Sequence, residues 1–185
     1  MTVAERLTIL ALTSFPLGAV AVGEMDYGSW QAGTVSGGDG TYAGTTNDSG
    51  DVFGEYCDYE NKNCRWVLLT LAACDKGHTY PALGNTDKGA ASLELVCAGE
   101  VSSGKYRYFF NNWKDLEALV KTSARFGLAV PMQADQFQVH RFLLNGLIAA
   151  TQYSENLFSA GIQAREHGKD SRPVVPTSGT QTTTL

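Results

Sequence analysis

The sequence predicts a mainly β fold: an antiparallel β-sandwich-like domain with one or two short helices, stapled by disulfides. The stretch Ala91–Cys97 alternates apolar and polar residues, which is typical of a strand with one buried face. Glycine is abundant, at 20 residues, and serine and threonine are plentiful between the apolar runs. Four cysteines lie close together in the chain. Such a composition favours a β-rich exported domain over a helical cytosolic one.

The strands are predicted in order along the first two thirds of the chain. Residues 26–50 are rich in Gly, Ser and Thr and indicate short edge strands around a loose turn at residues 37–40. The strands strengthen from Val52. Residues 64–73 are apolar on both alternating faces, which indicates a central strand buried on each side. Residues 105–110 follow a Ser-Ser-Gly turn and are expected to form a hairpin with the preceding strand.

Helices are predicted in the last third of the chain. The first should begin after Asn112 and end at Gly127, because apolar residues recur there at helical spacing. Residues 136–144 predict a strand whose apolar phase changes near His140 and Arg141, which indicates a bulge. Residues 147–162 predict a second, less regular helix.

Three segments are expected in the domain organisation. Residues 1–21 predict a signal peptide, since an uncharged apolar run is followed by small residues at Ala19 and Ala21. The alternative is a genuine N-terminal strand or buried segment. Residues 22–165 then form a single β-rich domain. Residues 166–185 have too little apolar content to pack, so they predict a polar flexible tail or an arm.

The cysteines are Cys57, Cys64, Cys74 and Cys97, an even number without a zinc-knuckle or Cys-x-x-Cys spacing. Of the three possible pairings we expect Cys57–Cys64 and Cys74–Cys97. The first would close a hairpin. In the second, strand alternation turns both partners toward the same interior. The alternative is a cytosolic protein with buried free thiols.

One part of the chain resembles a known group of proteins. The runs FGEYCDYENKNCRWVLLTLAAC, YPALGNTDKGAASLELVC, YRYFF and FGLAVPMQADQFQVHRFLLNGLIAA are similar to small secreted bacterial proteins of the invasion-associated locus B group. The resemblance covers roughly residues 45–150 and consists of the paired cysteines, the Trp after the second cysteine and a Pro-centred turn before a Phe-rich strand. It implies an exported, disulfide-stapled domain associated with the envelope or host surfaces, and it carries over no catalytic residue.

No motif predicts an active site, a cofactor or a metal site. The chain has no nucleophile elbow, no phosphate-binding glycine loop and no histidine pair at metal-ligand spacing. The net charge of −5 and the absence of any Lys/Arg cluster argue against a nucleic-acid or anionic-membrane surface. The acidic residues Asp48, Asp51, Glu55, Asp58 and Glu60 are interpreted as a solvated acidic rim.

A possible binding surface consists of Tyr106, Tyr108, Trp113, His140 and Arg141. Tyr106 and Tyr108 lie on one face of a predicted strand, with Trp113 just after it. An aromatic stripe of this kind also fits an ordinary core. His140 is singled out because a bulge beside Arg141 can aim its side chain.

These observations favour an exported, non-enzymatic domain in the periplasm or outside the cell, which binds a protein partner at the envelope or on that partner's surface. It would have no membrane span in its mature form. The alternative is a structural subunit of a pilus, secretion or phage-related particle, with the two ends of the chain as arms on neighbouring subunits. An enzyme would require a deep pocket that holds His140 together with a carboxylate.

Export and disulfide formation can be tested in one measurement. We expect the intact mass of protein recovered from its native host, under non-reducing conditions, to equal that of Val22–Leu185 with both disulfides formed. A full-length, fully reduced mass would contradict the secreted interpretation and favour the assembly subunit.

Overall fold

A computed structural model describes residues 24–101, 104–131 and 136–170. Within these ranges the chain forms ten strands and two helices. Their bounds are β1 (Met25–Tyr27), β2 (Trp30–Thr34), β3 (Gly40–Thr46), β4 (Val52–Asp58), β5 (Asn63–Thr70), β6 (Thr79–Thr86), β7 (Gly89–Glu100), β8 (Tyr106–Phe110), α1 (Trp113–Val120), β9 (Arg125–Pro131), β10 (Phe137–Leu143) and α2 (Leu147–Asp170).

All ten strands belong to one antiparallel sheet in the order β1-β2-β3-β4-β5-β8-β7-β6-β9-β10. The first five strands follow one another as hairpins, and β8 pairs with both β5 and β7. The β6–β7 and β9–β10 hairpins, joined through β6 and β9, complete the sheet. The prediction of a mainly β, antiparallel, disulfide-stapled domain is therefore confirmed. The layers that enclose the core come from a single sheet that curls over itself.

Phe53 on β4 lies at the centre of the curled sheet. Its ring is 4.9–5.9 Å, centroid to centroid, from aromatic rings on five other strands. A flat sheet could not bring β2, β5, β8, β9 and β10 to one side chain, so these contacts define the curl. The five rings are Trp30, Trp66, Phe110, Phe126 and Phe142, all of them buried.

Side-chain and backbone bonds join the two ends of the sheet. The indole Nε1 of Trp30 donates to the carbonyl oxygen of Leu143 over 3.0 Å, and the N–H of Ser29 donates to the carbonyl of Asn145 over 3.1 Å. Gly146 follows with φ of +97°. A side chain there would collide with the Tyr27 carbonyl, so glycine is required where the ends meet.

Both predicted disulfides are present. Cys57 and Cys64 are directly opposite in the β4–β5 ladder, with Cα atoms 3.9 Å apart. Cys74 follows β5 and is bonded to Cys97 on β7, with Cα atoms 6.0 Å apart. The second bond ties the loop after β5 to the sheet.

Helix α1 is shorter than predicted. It ends at Val120 and packs against β6 and β7 through its buried Leu116 and Leu119. Gly127, expected to end this helix, lies within β9. Residues 125–131 alternate between exposed or half-buried and buried positions. This alternation of buried and more exposed residues is that of a strand, so the part of the predicted helix from residue 125 onward is wrong.

Helix α2 is longer than predicted and packs against β1–β4. It passes residue 166, the expected start of the tail, and continues to Asp170. Its second half is held by a Phe158 ring stacked on Tyr59 at 5.4 Å and by a 2.6 Å ion pair between Glu166 and Lys62. Neither helix in the described part of the chain is long and apolar enough to cross a membrane. The predicted signal peptide, residues 1–21, and residues 171–185 of the predicted tail lie outside the described residues.

Phe53 should dominate the stability of the domain. We expect Phe53→Ala to lower the free energy of unfolding by about 3–5 kcal/mol, because it leaves a cavity among five rings. Phe137→Ala is the control, since that ring is 67% exposed and should contribute within about 0.5 kcal/mol. Urea unfolding of both variants with disulfides intact provides the measurement. Equal losses would show that the sheet does not close around Phe53.

Candidate functional site

A cavity of about 690 Å³ opens at the end of the curled sheet where β5 and β9 finish and β8 and β10 begin. It lies on the inner face of the sheet, beyond the aromatic core around Phe53. Apolar side chains line it together with hydroxyl and amide groups. The lining residues are Leu68, Thr70, Ala72, Ala73, Cys74, Asp75, Tyr80, Leu95, Tyr106, Tyr108, Val130, Pro131, Gln136, Gln138 and His140.

Three tyrosines form one wall of the cavity. Tyr106 and Tyr108 project from the same face of β8 because they are two residues apart on a strand. The ring of Tyr80, on β6, meets that of Tyr108 edge to face at 5.8 Å. The Tyr108 hydroxyl donates to the carbonyl of Ala72 over 3.1 Å. Burial, with the neighbouring tyrosines, raises the pKa of Tyr108 to about 12, so this hydroxyl keeps its proton at neutral pH.

His140 and Asp51 form a buried pair beside the cavity. Nδ1 of His140 lies 2.8 Å from Oδ2 of Asp51, and both residues are at least 94% buried. Burial alone would raise the pKa of Asp51, but hydrogen bonds from His140, Thr70 and Asn47 outweigh it and lower the pKa. The backbone N–H of Asp51 also donates to the Asn47 side chain over 2.9 Å, which fixes the turn.

The pairing determines what His140 offers to the cavity. Because the Asp51 carboxylate is ionised and accepts only, the proton of a neutral imidazole must reside on Nδ1. Nε2 then presents a lone pair, and His140 is among the residues that line the cavity. The Asp51 carboxylate thus fixes the tautomer of the ring, and a histidine in this tautomer can accept a hydrogen bond at Nε2.

The charge of the lining limits which ligands fit. None of the described lining residues is a lysine or arginine, and Asp75 supplies a carboxylate at the rim. His78 is 3.7 Å from that carboxylate. A neutral group meets no opposing charge here and a cationic group is attracted by Asp75, whereas an anion is repelled.

The structure brings together part of the predicted binding surface. Tyr106, Tyr108 and His140 line the same cavity. Trp113 lies on α1, where it is 47% exposed, and it is not among the residues that line the cavity. Arg141 is exposed on the opposite face of β10.

Other contributors to the site were not predicted. Asp51, Tyr80 and Gln138 are separated from one another along the chain, and only the sheet register brings them together. Gln138 could have been predicted from the sequence, because it is two residues before His140 on the same strand and therefore lies on the same face.

The predicted bulge at His140 and Arg141 is wrong. The β9–β10 ladder is unbroken from Phe137 to Leu143, and the irregularity in the described sheet falls instead between Cys97 and Gly99. The alternation of apolar and polar residues changes along β10 because His140 occupies an inward position where an apolar residue is usual. Val139 faces outward and is 46% exposed.

The predicted acidic rim is wrong for two of its five members, whereas Asp48 is exposed as expected. Asp51 belongs to the buried pair, and Glu55 is 94% buried on the inward face of β4. Glu60 is exposed at the hairpin end and Asp58 is partly so. Strand parity explains the difference, since Glu55 shares the inward face with Phe53.

Glu55 is a buried carboxyl group whose Oε2 has no hydrogen-bond partner among the described residues. Burial raises its pKa to about 7, with further contributions from the acidic Glu155 and Glu117. Its nearest metal-binding side-chain types are Cys57 and Cys64. Those sulfurs are joined in a disulfide, so they provide no thiolate for a metal.

Glu55 should make stability depend on pH. Its folded-state pKa of about 7 exceeds the unfolded value of 4.5, so the folded state holds the proton more tightly and stability falls as pH rises between these values. We expect Glu55→Gln to remove this decline and to raise the free energy of unfolding above pH 7 by up to about 3 kcal/mol. Urea unfolding across this pH range tests it, with exposed Glu60→Gln as the control. Parallel profiles for wild type and Glu55→Gln would contradict the assignment.

Comparison with known proteins supports the fold. No family model and no curated protein matches the sequence. Among solved structures, the crystal structure of invasion associated protein B from Bartonella henselae matches with a TM-score of 0.51 and 16% sequence identity. The match covers 72% of this chain and 96% of that chain. The resemblance expected from the sequence is confirmed, and at this identity it establishes a shared fold.

Proposed function

We propose that the chain is an exported binding domain that holds a neutral or cationic group of an envelope partner in the cavity at the open end of its sheet. The single observation that carries this proposal is the cavity, with its tyrosine wall and its oriented His140–Asp51 pair. A concave site with apolar walls and a few fixed polar groups is the usual form of a ligand site.

The rigidity of the site supports a role in binding. Tyr106, Tyr108 and His140 project from strands of one continuous sheet, which holds side chains more precisely than loops do. The Cys74–Cys97 bond anchors the loop that contributes Ala72 and Cys74 to the lining. A site that is already ordered loses little conformational entropy when a ligand enters.

Export is supported by the two disulfides, because such bonds persist mainly in oxidising compartments. The structural neighbour is named as an invasion associated protein. By analogy of fold, we propose that this chain also acts at the cell envelope or on a partner surface.

A second candidate function is acid–base chemistry on a molecule bound in the cavity. The observation that favours it is the 2.8 Å pairing of His140, which lines the cavity, with the carboxylate of Asp51. A carboxylate that fixes the tautomer of a histidine is a common way to orient a general base. Among the described residues the imidazole pairs with Asp51, so the nucleophile in such a reaction would be water or a group of the bound molecule.

Capture from an envelope extract of the native host tests the binding function. The disulfide-intact domain should retain a specific component, and Gln138→Trp, which fills the cavity mouth, should lose it. Trp113→Ala is the control, since it removes an exposed aromatic ring away from the cavity. Equal capture by wild type and Gln138→Trp, or no specific component at all, would refute the proposal.

The same preparation separates binding from catalysis. If the domain only binds, the captured component keeps both its mass and its chromatographic retention on incubation with wild-type protein. If His140 acts as a base, the component changes in mass or in retention with wild type and stays unchanged with His140→Gln.

A further inference from the structure

A second concave surface lies at the end of the sheet opposite to the cavity. It is a groove of about 550 Å³ between the β3–β4 turn and the ends of β6, β9 and β10, and its lining includes residues from the outer face of these three strands. Asn85, Gly127 and Arg141 form one row across these three strands, because each is the register partner of the next. Arg125 is two residues before Gly127 and therefore on the same face.

Gly127 leaves the floor of this row open. A Cβ atom at that position would meet only the Asn85 carbonyl oxygen, at 3.7 Å. Arg125, Arg141 and Asn85 occupy neighbouring positions on the same face and line the same groove. The strand pairing therefore places two arginines and one asparagine around a position that has no side chain of its own.

The two arginines have no carboxylate partner within ion-pair distance among the described residues. They occupy diagonal positions of the β9–β10 ladder, with Cα atoms about 7–8 Å apart. Like charges at neighbouring positions of a ladder disfavour one another, and an anion held between them would relieve that repulsion.

Two acidic residues also line the groove, Asp48 and Asp87. The Asp87 carboxylate accepts the N–H of Ala124 over 3.0 Å and lies 3.3 Å from Lys88. Its charge is therefore already engaged. The carboxylate of Asp48 repels an anion that enters the groove. Its removal should therefore raise the affinity for an anion.

We propose that Arg125, Arg141 and Asn85 form a binding site for a phosphoryl group on the outer face of the sheet. A phosphate carries about −1.5 to −2 charges near pH 7, which matches two guanidinium groups. Each guanidinium can donate two parallel hydrogen bonds to its oxygens, and the Asn85 amide can donate one more. The site is separate from the cavity and does not depend on the function proposed for it.

Leu143 indicates that the phosphoryl group can be attached to an apolar body. It is the register partner of Arg125, lines the same groove and is 54% exposed. A free phosphate would leave this side chain in water. A phospholipid headgroup or another phosphorylated molecule would cover it.

Titration with inorganic phosphate at constant ionic strength, followed by amide chemical shifts, tests the site. We expect saturable shifts around Gly127, and an affinity lower by about tenfold or more in the double variant Arg125→Gln/Arg141→Gln. Asp48→Asn should raise the affinity. Lys114→Gln, which removes a positive charge from α1, should leave it unchanged. Failure to saturate, or equal affinity in wild type and the double variant, would overturn the proposal.

A second arm identifies the source of the phosphoryl group. Vesicles of phosphatidylcholine alone are compared with vesicles that also contain phosphatidylglycerol, by co-sedimentation. Sedimentation that requires both phosphatidylglycerol and the two arginines assigns the site to a lipid headgroup. Phosphate binding without sedimentation assigns it to free phosphate or a soluble phosphorylated molecule.

Discussion

Closure of the sheet around Phe53 is the constraint on which the other features depend. One ring on β4 contacts aromatic rings from five other strands, and that geometry exists only if the sheet curls back on itself. Burial of several aromatic side chains together provides a large hydrophobic stabilisation. The aromatic core fills the middle of the enclosed space. Beyond it, between β5, β8 and β10, the curled sheet leaves the cavity open.

The same closure gives β10 two separate roles. Successive side chains on a strand point to opposite faces, so His140 enters the cavity while Arg141 faces the outer groove. The ladder with β9 has no bulge here, so the regular alternation places His140 and Arg141 on opposite faces. Two neighbouring residues therefore belong to different surfaces, although they look like one charged pair in the sequence.

Local pattern explains which features could be predicted from the sequence. The cysteine pairing follows from alternation within strands, and β4, β5, β7 and β8 have strong local signals. The Asp51–His140 pair spans 89 positions, and no local pattern relates a residue at the start of β4 to one in the middle of β10. Arg125 and Arg141 are likewise far apart in the chain and form no basic run. The register that unites them is set by tertiary packing.

The predicted helix boundary was wrong where the sequence fits both a helix and a strand. Residues 113–127 contain apolar residues compatible with both periods. The turn that separates α1 from β9 has neither glycine nor proline to mark it, since residues 121–124 are Lys, Thr, Ser and Ala. Its N–H at Ala124 is instead bonded to the distant Asp87 side chain. A long-range contact thus fixes a boundary that local sequence leaves open.

Two buried carboxyl groups show why the cavity, and not the rest of the interior, is the better site for function. Glu55 and Asp51 both lie close to β4, and burial alone would raise both pKa values. Hydrogen bonds reverse the direction for Asp51, whereas Glu55 has an oxygen without a partner in the described residues. An unpaired buried carboxyl group destabilises the fold whenever it ionises. Asp51 is ionised at little such penalty, and its charge fixes the tautomer of His140 beside a space that a ligand can enter.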